Sequence, residues 1–144
     1  DAMLVVAGDG IRRDEIDALA EGLLPGRYRR MTVTSAQMPE LYRCADAFLH
    51  LSRDESFGNA YIEALVTGLP CVVHDYPLTR WIYGEHGNLV DASQHELLVD
   101  ALAKALTSGD VDRGEQVTFA RERFSWLNIA RQYREFFLET LALT

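Results

Sequence analysis

The sequence predicts an α/β fold in which a parallel sheet of about five strands carries flanking helices and a helical C-terminal tail. Short apolar runs alternate with longer helical patterns as far as Val90, which is the order expected for a parallel sheet. From Ser93 onward only helical patterns follow. The 144 residues, 48% of them hydrophobic and 25% charged, are typical of one globular domain and exclude a largely disordered chain.

Five short runs of apolar or β-forming residues are the predicted strands. They are Leu4–Ala7, Tyr28–Thr34, Ala47–Leu51, Cys71–His74 and Asn88–Val90. Most of them lack polar alternation, which favours strands buried on both faces, as in a parallel sheet. The first strand ends at the turn Gly8-Asp9-Gly10.

Helical patterns connect these strands and then fill the rest of the chain. The connecting helices are predicted at Arg13–Leu23, Pro39–Cys44 and Gly58–Thr67, and Gly68 closes the last of them. Ser93 and Glu96 have the spacing of a capping box that opens the first tail helix. A weaker helix is predicted from Val111 to Phe124, and Ser125 is the predicted cap of a final helix with an apolar stripe.

The charge and the cysteines exclude several classes of protein. A net charge of −8 makes the chain a poor partner for nucleic acid or for an anionic lipid surface. No apolar run approaches the roughly 18 to 20 residues of a membrane span, and the N-terminus lacks the basic region of a signal peptide. Cys44 and Cys71 form no CxxC motif, so we expect two buried thiols and a reducing, cytoplasmic location.

The segment from Ser52 to Leu65 carries the predicted chemistry because it follows a strand and opens a helix. Ligands of parallel sheets bind beyond the carboxyl ends of the strands. A helix N-terminus there offers unpaired backbone N–H groups and the positive end of the helix dipole. Gly58 allows close approach, so the segment predicts a phosphate site at Gly58, Asn59 and Ala60.

Two glutamates frame this helix start. Glu55 precedes it in the loop, and Glu63 lies about a turn and a half inside the helix. Carboxylates accept hydrogen bonds from hydroxyl groups, so an anion site between them suits a ligand with sugar, phosphate and ribose in a row. Spacing alone gives equal weight to another interpretation, in which Glu55 is a solvated loop charge and Glu63 belongs to a solvated helix face.

The motif around these glutamates resembles a known family. The E-x7-E pair stands within S-x-x-E-S-F-G-N-x-x-x-E-A-L-x-x-G-L-P-C-V-V, which resembles the carboxy-terminal, donor-binding domain of retaining glycosyltransferase family 4, of the GT-B fold. Four further stretches resemble the family in the same order, namely Leu4–Gly10, Leu41–Leu49, Gly87–Asp91 and Phe124–Trp126. The resemblance covers nearly the whole chain and implies a Rossmann-like sheet.

The resemblance also implies roles for individual residues. Glu55 would bond a hydroxyl of the transferred sugar and is the candidate catalytic residue. The backbone N–H groups around Phe57, Gly58 and Asn59, at the helix start that includes Ala60, would hold the distal phosphate. Glu63 would bond the ribose hydroxyls. The implied reaction transfers a sugar from a nucleoside diphosphate to an acceptor hydroxyl with retained anomeric configuration, without a metal or another cofactor.

Some family features are not present in this sequence. Arg80 stands near the position of the glutamate in the family's Gly-Gly-x-Pro-Glu turn, where it could contact the diphosphate, although a surface arginine is the more frequent case. The family's first strand, with its Gly-Arg and Lys-Gly pairs, would precede Leu4. We therefore expect residues 1–144 to form a partial donor-binding domain that lacks the acceptor-binding N-terminal domain and is inactive alone.

The missing strand would lie between the strands at Leu4 and Ala47, so we expect either a sheet that closes up or an unpaired edge. Such an edge, or the C-terminal helix, could support a homodimer. Any peripheral contact with the inner membrane would belong to the missing half. Two other functions stay open, namely a sugar-nucleotide epimerase or hydrolase of the same fold, and a non-catalytic GT-B binding or assembly module.

Overall fold

The computed structural model describes residues 2–108 and 113–142 and confirms the α/β fold class. Strands and helices alternate in the first part, and helices fill the rest. In chain order the elements are β1 (Leu4–Ala7), α1 (Arg13–Leu23), β2 (Tyr28–Met31), α2 (Met38–Arg43), β3 (Phe48–His50), α3 (Asn59–Val66), β4 (Cys71–His74), α4 (Pro77–Tyr83), β5 (Asn88–Val90), α5 (His95–Thr107), α6 (Arg113–Phe124) and α7 (Trp126–Ala142).

The five strands are all parallel to their partners, as predicted, but they are divided between two sheets. β1 pairs with β2, in a register that sets Leu4 opposite Tyr28. β3, β4 and β5 form the second sheet with β4 in the middle, so that Phe48 lies opposite Cys71 and Val72 lies opposite Asn88. The chain accordingly has two compact units, Asp1–Pro39 and Glu40–Thr144.

In the first unit, polar contacts join α1 to β2. The Asp17 carboxylate on α1 accepts hydrogen bonds from the Tyr28 hydroxyl at 2.5 Å and from Arg30 Nε at 2.7 Å. The Tyr28 hydrogen bond and then the Arg30 hydrogen bond hold the pKa of Asp17 below its usual value. The large apolar side chains of α1 are exposed, and Ala20 is its buried residue.

The core of the second unit lies between β4 and the helices on either side of it. The largest fully buried side chains are contributed by α3, β4 and α4, and they are Tyr61, Tyr83, Leu65, Ile82, Val72, Val73, Thr79 and Cys71. Gln116 of α6 fixes the end of α3 because its side-chain amide donates to the carbonyl oxygens of Leu65 and Leu69, at 3.1 and 2.8 Å. This core supports the loop and helix that carry the candidate site.

Three local expectations are wrong. Ser93 does not cap α5, because its hydroxyl and its N–H both bond the neighbouring Asp91 carboxylate, at 2.8 and 2.9 Å, and the helix begins later. The second strand ends at Met31 rather than Thr34. Cys44 is exposed just after the short helix α2, whereas Cys71 is buried, and burial raises the pKa of its thiol to about 12.

The tail helices agree with the prediction where the structure describes them. The predicted start of the middle tail helix at Val111 lies outside the described residues, and α6 ends at Phe124 as expected. Ser125 caps α7, since the Asn128 N–H is 3.4 Å from its hydroxyl oxygen. The aromatic residues of α7 are exposed. Of the helices in the described residues, none combines the length and the apolar character that a membrane-spanning helix requires.

We expect Thr79→Val to lower the free energy of unfolding by about 2 kcal/mol, because it leaves buried backbone groups without partners. The fully buried Thr79 hydroxyl donates to the His74 carbonyl oxygen at 2.6 Å and accepts from the Tyr76 N–H at 3.2 Å. Urea denaturation followed by circular dichroism measures the change. The matched control is Thr140→Val on exposed α7, which we expect to change stability by less than about 0.5 kcal/mol. Equal effects of the two substitutions would contradict this account.

Candidate functional site

The N-terminus of α3 is shaped by one glycine. Gly58 precedes the helix with φ 74° and ψ 58°, a left-handed conformation that favours glycine. A β-carbon at this position would collide with the Tyr61 ring, at 2.6 Å from Cε2. No side chain among the described residues caps this helix end. The backbone therefore passes close over the Tyr61 ring. The Tyr61 N–H donates to the Gly58 carbonyl oxygen at 3.0 Å, so the N–H groups of Asn59 and Ala60 are those of the first turn that remain for an anion.

Glu55 lies in the loop between β3 and α3, where a histidine holds it. Its side chain is 31% exposed, and Oε1 lies 3.1 Å from His50 Nε2. An ionised carboxylate can only accept hydrogen bonds, so a hydrogen bond from His50 to an ionised Glu55 requires the proton on Nε2. Glu55 is thus a partly buried carboxylate with a histidine partner, and its contact with a ligand stays a prediction.

Glu63 lies on α3, where a tyrosine holds it. The Tyr42 hydroxyl on α2 donates to Glu63 Oε2 at 3.0 Å. Burial, followed by the nearby Glu63 carboxylate, raises the pKa of Tyr42 above its ordinary value. The phenol therefore stays protonated and remains a hydrogen-bond donor at neutral pH. Each of the two glutamates consequently has one oxygen bonded by an aromatic side chain of the second unit.

The same aromatic cluster supports both glutamates. The Phe48 ring on β3 lies 6.0 Å from the Tyr42 ring and 5.9 Å from the His50 ring, between centroids. The Tyr61 ring on α3 lies 4.8 Å from His50 and also contacts Phe48 and Tyr83. We call Tyr42, Phe48, His50 and Tyr61 the aromatic cluster. It joins Gly58, Glu55 and Glu63 to one packed core.

The structure brings the predicted donor-binding residues together on one segment at the carboxyl end of β3. Glu55 and Phe57 lie in the loop, Gly58 opens α3, and Asn59 and Ala60 form its first turn, with Glu63 further along. Phe57 is exposed, and its ring is 6.3 Å from that of Trp81 on α4. The ligand roles of these residues stay predictions.

Arg80 lies on α4 and is engaged by an acid. Its Nε and Nη2 bond the two Asp75 carboxylate oxygens at 2.5 and 2.9 Å, while its side chain is 65% exposed. The Arg80 hydrogen bond lowers the pKa of Asp75. A diphosphate would have to compete with Asp75 for this guanidinium. The contact between Arg80 and the diphosphate stays a prediction, and forming it would require the Arg80–Asp75 ion pair to break.

Two residues of the site, His50 and Tyr42, are not among the site residues predicted from the sequence. His50 lies in the predicted strand Ala47–Leu51, and Tyr42 lies in the stretch Leu41–Leu49 that resembles the family. A signal for His50 exists, since it ends a strand and stands five residues before Glu55. The contact between Tyr42 and Glu63 has no signal in the sequence spacing, because 21 residues separate the two positions.

Metal binding has no obvious location in the part of the chain that the structure describes. Within residues 2–108 and 113–142, His, Cys, Asp and Glu side chains form no group of three that could hold a metal ion. The expectation of a reaction without metal or cofactor stays a prediction.

Comparison with known proteins identifies the family. The sequence model described as "Glycosyl transferases group 1" matches residues 1–122. The chain belongs to this family. A D-inositol 3-phosphate glycosyltransferase of Corynebacterium urealyticum is 31% identical over an alignment of 140 positions that covers 91% of this chain and 32% of that protein. A phosphatidyl-myo-inositol mannosyltransferase of Mycobacterium leprae is 32% identical over an alignment of 148 positions, gaps included, that covers 99% of this chain and 39% of that protein.

Solved structures confirm the fold. The pneumococcal O-GlcNAc transferase GtfA, in complex with UDP and GlcNAc, has a TM-score of 0.75 at 18% identity, over 96% of this chain and 29% of that one. TarM has a TM-score of 0.69 at 21% identity, over 97% of this chain and 28% of that one. The glycosyltransferase chain thus spans about a third of the length of these relatives.

Proposed function

We propose that this glycosyltransferase chain binds a nucleoside diphosphate sugar and that the protein containing it transfers the sugar to an acceptor hydroxyl with retention of anomeric configuration. One observation carries the proposal. Glu55 precedes the α3 N-terminus and Glu63 lies within α3, and each accepts a hydrogen bond from the aromatic cluster. Two carboxylates held in place before and after an anion-binding helix start suit a ligand with a sugar, a diphosphate and a ribose in a row.

Each part of the donor has a proposed partner. The Glu55 carboxylate accepts a hydrogen bond from a hydroxyl of the sugar, and the Glu63 carboxylate accepts from the ribose hydroxyls. The backbone N–H groups at Phe57, Gly58 and Asn59, together with the first turn at Ala60, bind the distal phosphate. Arg80 becomes a diphosphate ligand only if it leaves Asp75.

The proposed chemistry is a displacement at the anomeric carbon. The bond from that carbon to the diphosphate oxygen breaks, a bond to the acceptor oxygen forms on the same face, and the acceptor proton passes to the departing diphosphate. The helix end stabilises the negative charge that develops on the diphosphate. Glu55 contributes by holding the sugar in position, since orientation alone can supply much of the acceleration.

The acceptor and the setting of the reaction follow as further proposals. The acceptor, a glycan, a lipid or a small molecule, binds to parts of the protein beyond this chain, which spans about a third of its relatives. Two of those relatives are named for inositol-containing compounds, which makes such compounds the first acceptors to try. We propose a cytoplasmic enzyme, peripheral at the inner membrane through its other parts, without a nucleic-acid partner.

Glu63→Ala tests the ribose assignment. We expect it to weaken binding of UDP or GDP and of their sugar conjugates by the same factor, about tenfold, because the ribose is common to all of them. Isothermal titration calorimetry with UDP, GDP, UDP-glucose and GDP-mannose measures the change. The control is Glu115→Ala on the exposed start of α6. Unchanged affinities in the Glu63 variant would remove the ribose site from the proposal.

A further inference from the structure

His50 connects the predicted sugar ligand Glu55 to the core. We propose that His50 is a positioning residue, which directs the Glu55 carboxylate toward the sugar of the bound donor. The inference deepens the proposed function and rests on it. It starts from the 3.1 Å contact between His50 Nε2 and Glu55 Oε1, a contact between the last residue of β3 and the loop that follows.

The direction of the His50 ring is set by packing. Phe48 stacks on it with an interplanar angle of 23°, and Tyr61 meets it edge-on at 70°. Tyr61 is fully buried, so it cannot move aside easily. Packing against these rings therefore fixes the orientation of the imidazole. The Glu55 carboxylate that accepts a hydrogen bond from Nε2–H is positioned by the same packing.

The loop around Glu55 has little else to hold it. The Ser52 hydroxyl donates to the Asp54 carbonyl oxygen at 3.3 Å and accepts from the Asp54 N–H at 3.4 Å, and both distances are long for hydrogen bonds. In residues 2–108 and 113–142, the bond from His50 is the one side-chain hydrogen bond to Glu55 that the structure shows. Without it the carboxylate would sample several rotamers, and substrate binding would have to order it.

The two oxygens of Glu55 then have different tasks. Oε1 accepts the hydrogen bond from His50, which leaves Oε2 to accept a hydrogen bond from the sugar. The nucleotide part of the donor does not enter this arrangement, which makes the proposal separable from the ribose and phosphate assignments.

Two variants of the protein containing this chain test the proposal. His50→Phe keeps an aromatic ring and removes the donor, whereas His50→Gln places an amide N–H near the position of Nε2. We expect His50→Phe to weaken binding of UDP-glucose or GDP-mannose about tenfold, and His50→Gln to stay within about threefold of the wild type. Both variants should bind UDP and GDP with unchanged affinity in calorimetry.

A second measurement does not depend on donor binding. In ¹⁵N NMR of the imidazole at about pH 8, where histidine is ordinarily neutral, we expect His50 to be protonated at Nε2. Glu55→Ala removes the acceptor of this hydrogen bond, so we expect it to change the Nε2 chemical shift. The matched control is His86→Phe, because His86 packs on Phe119 and is not a member of the aromatic cluster. This substitution should leave the donor affinity and the ¹⁵N signals of His50 unchanged.

Each outcome decides something. A sugar-specific loss in His50→Phe with recovery in His50→Gln supports the proposal. An equal loss for UDP and UDP-glucose, no loss at all, or a proton on Nδ1 overturns it. A wild-type protein that binds none of the four nucleotides overturns the proposed function together with this inference. That failure is distinguishable, because the NMR measurement still reports whether His50 and Glu55 are paired.

Discussion

Glu55→Gln should lower kcat/KM for donor turnover by about 10²- to 10³-fold while leaving the affinity for UDP or GDP unchanged. The amide keeps an oxygen for the hydrogen bond from His50, so the side chain stays in place and mainly its charge is lost. A carboxylate that bonds the sugar more strongly in the transition state than in the ground state contributes to the rate rather than to nucleotide affinity. Release of UDP or GDP from the sugar nucleotide, followed over time in the full-length protein, measures the effect.

The loop offers a matched control for this experiment. Asp54 is the neighbouring acid, it is exposed, and its side chain has no hydrogen bond among the described residues, so Asp54→Asn removes the same charge from the same loop. We expect less than a threefold change in kcat/KM, on the order expected for a surface substitution. Comparable losses in the Asp54 and Glu55 variants would show that loop charge, and not a specific ligand role, explains the effect.

Gly58→Ala should be the most destabilising substitution in the site, with a loss of about 2–5 kcal/mol in the free energy of unfolding. The left-handed backbone costs about 1–2 kcal/mol for a residue with a β-carbon. The collision with the Tyr61 ring adds an overpacking cost of about 1–3 kcal/mol, because Tyr61 is fully buried. Any shift of the helix start that relieves the strain would also displace the proposed phosphate ligands. Thermal and urea denaturation measure the stability, and UDP binding measures the displacement.

Gly26→Ala separates the two costs. Gly26 has a similar φ of +70°, but a β-carbon there would meet nothing within 4 Å. We expect a loss of about 1–2 kcal/mol and unchanged UDP binding. If both variants lost the same stability, a β-carbon at position 58 would add no cost by its contact with Tyr61. The close approach of the backbone to that ring would then not explain why position 58 is glycine.

The sequence allowed the fold class and much of the site to be predicted because their signals are local. Cys71–His74 and Asn88–Val90 are strands with the predicted bounds, since continuous apolar runs between turn residues have few alternatives. Glu55, Gly58 and Glu63 lie within nine residues of one another, so their common location follows from a single loop and helix.

The rest depends on contacts that local patterns do not contain. The division of five strands between two sheets is a matter of pairing between distant segments. Ser93 had the spacing of a cap, but the Asp91 carboxylate competes for both its hydrogen-bonding groups. The bond from Tyr42 to Glu63 requires α2 and α3 to be neighbours, which no spacing rule predicts.

The aromatic cluster has a consequence for engineering the enzyme. Tyr61 supports Gly58 and His50, so a substitution that adjusts the core also moves the groups proposed to hold the donor. Activity and thermal tolerance therefore cannot be optimised independently at these positions. Libraries intended to change donor preference should vary Arg53, Asp54 and Ser56, which are exposed, and keep the four aromatic positions constant. Paired rather than single replacements will be needed wherever the aromatic residues themselves are changed.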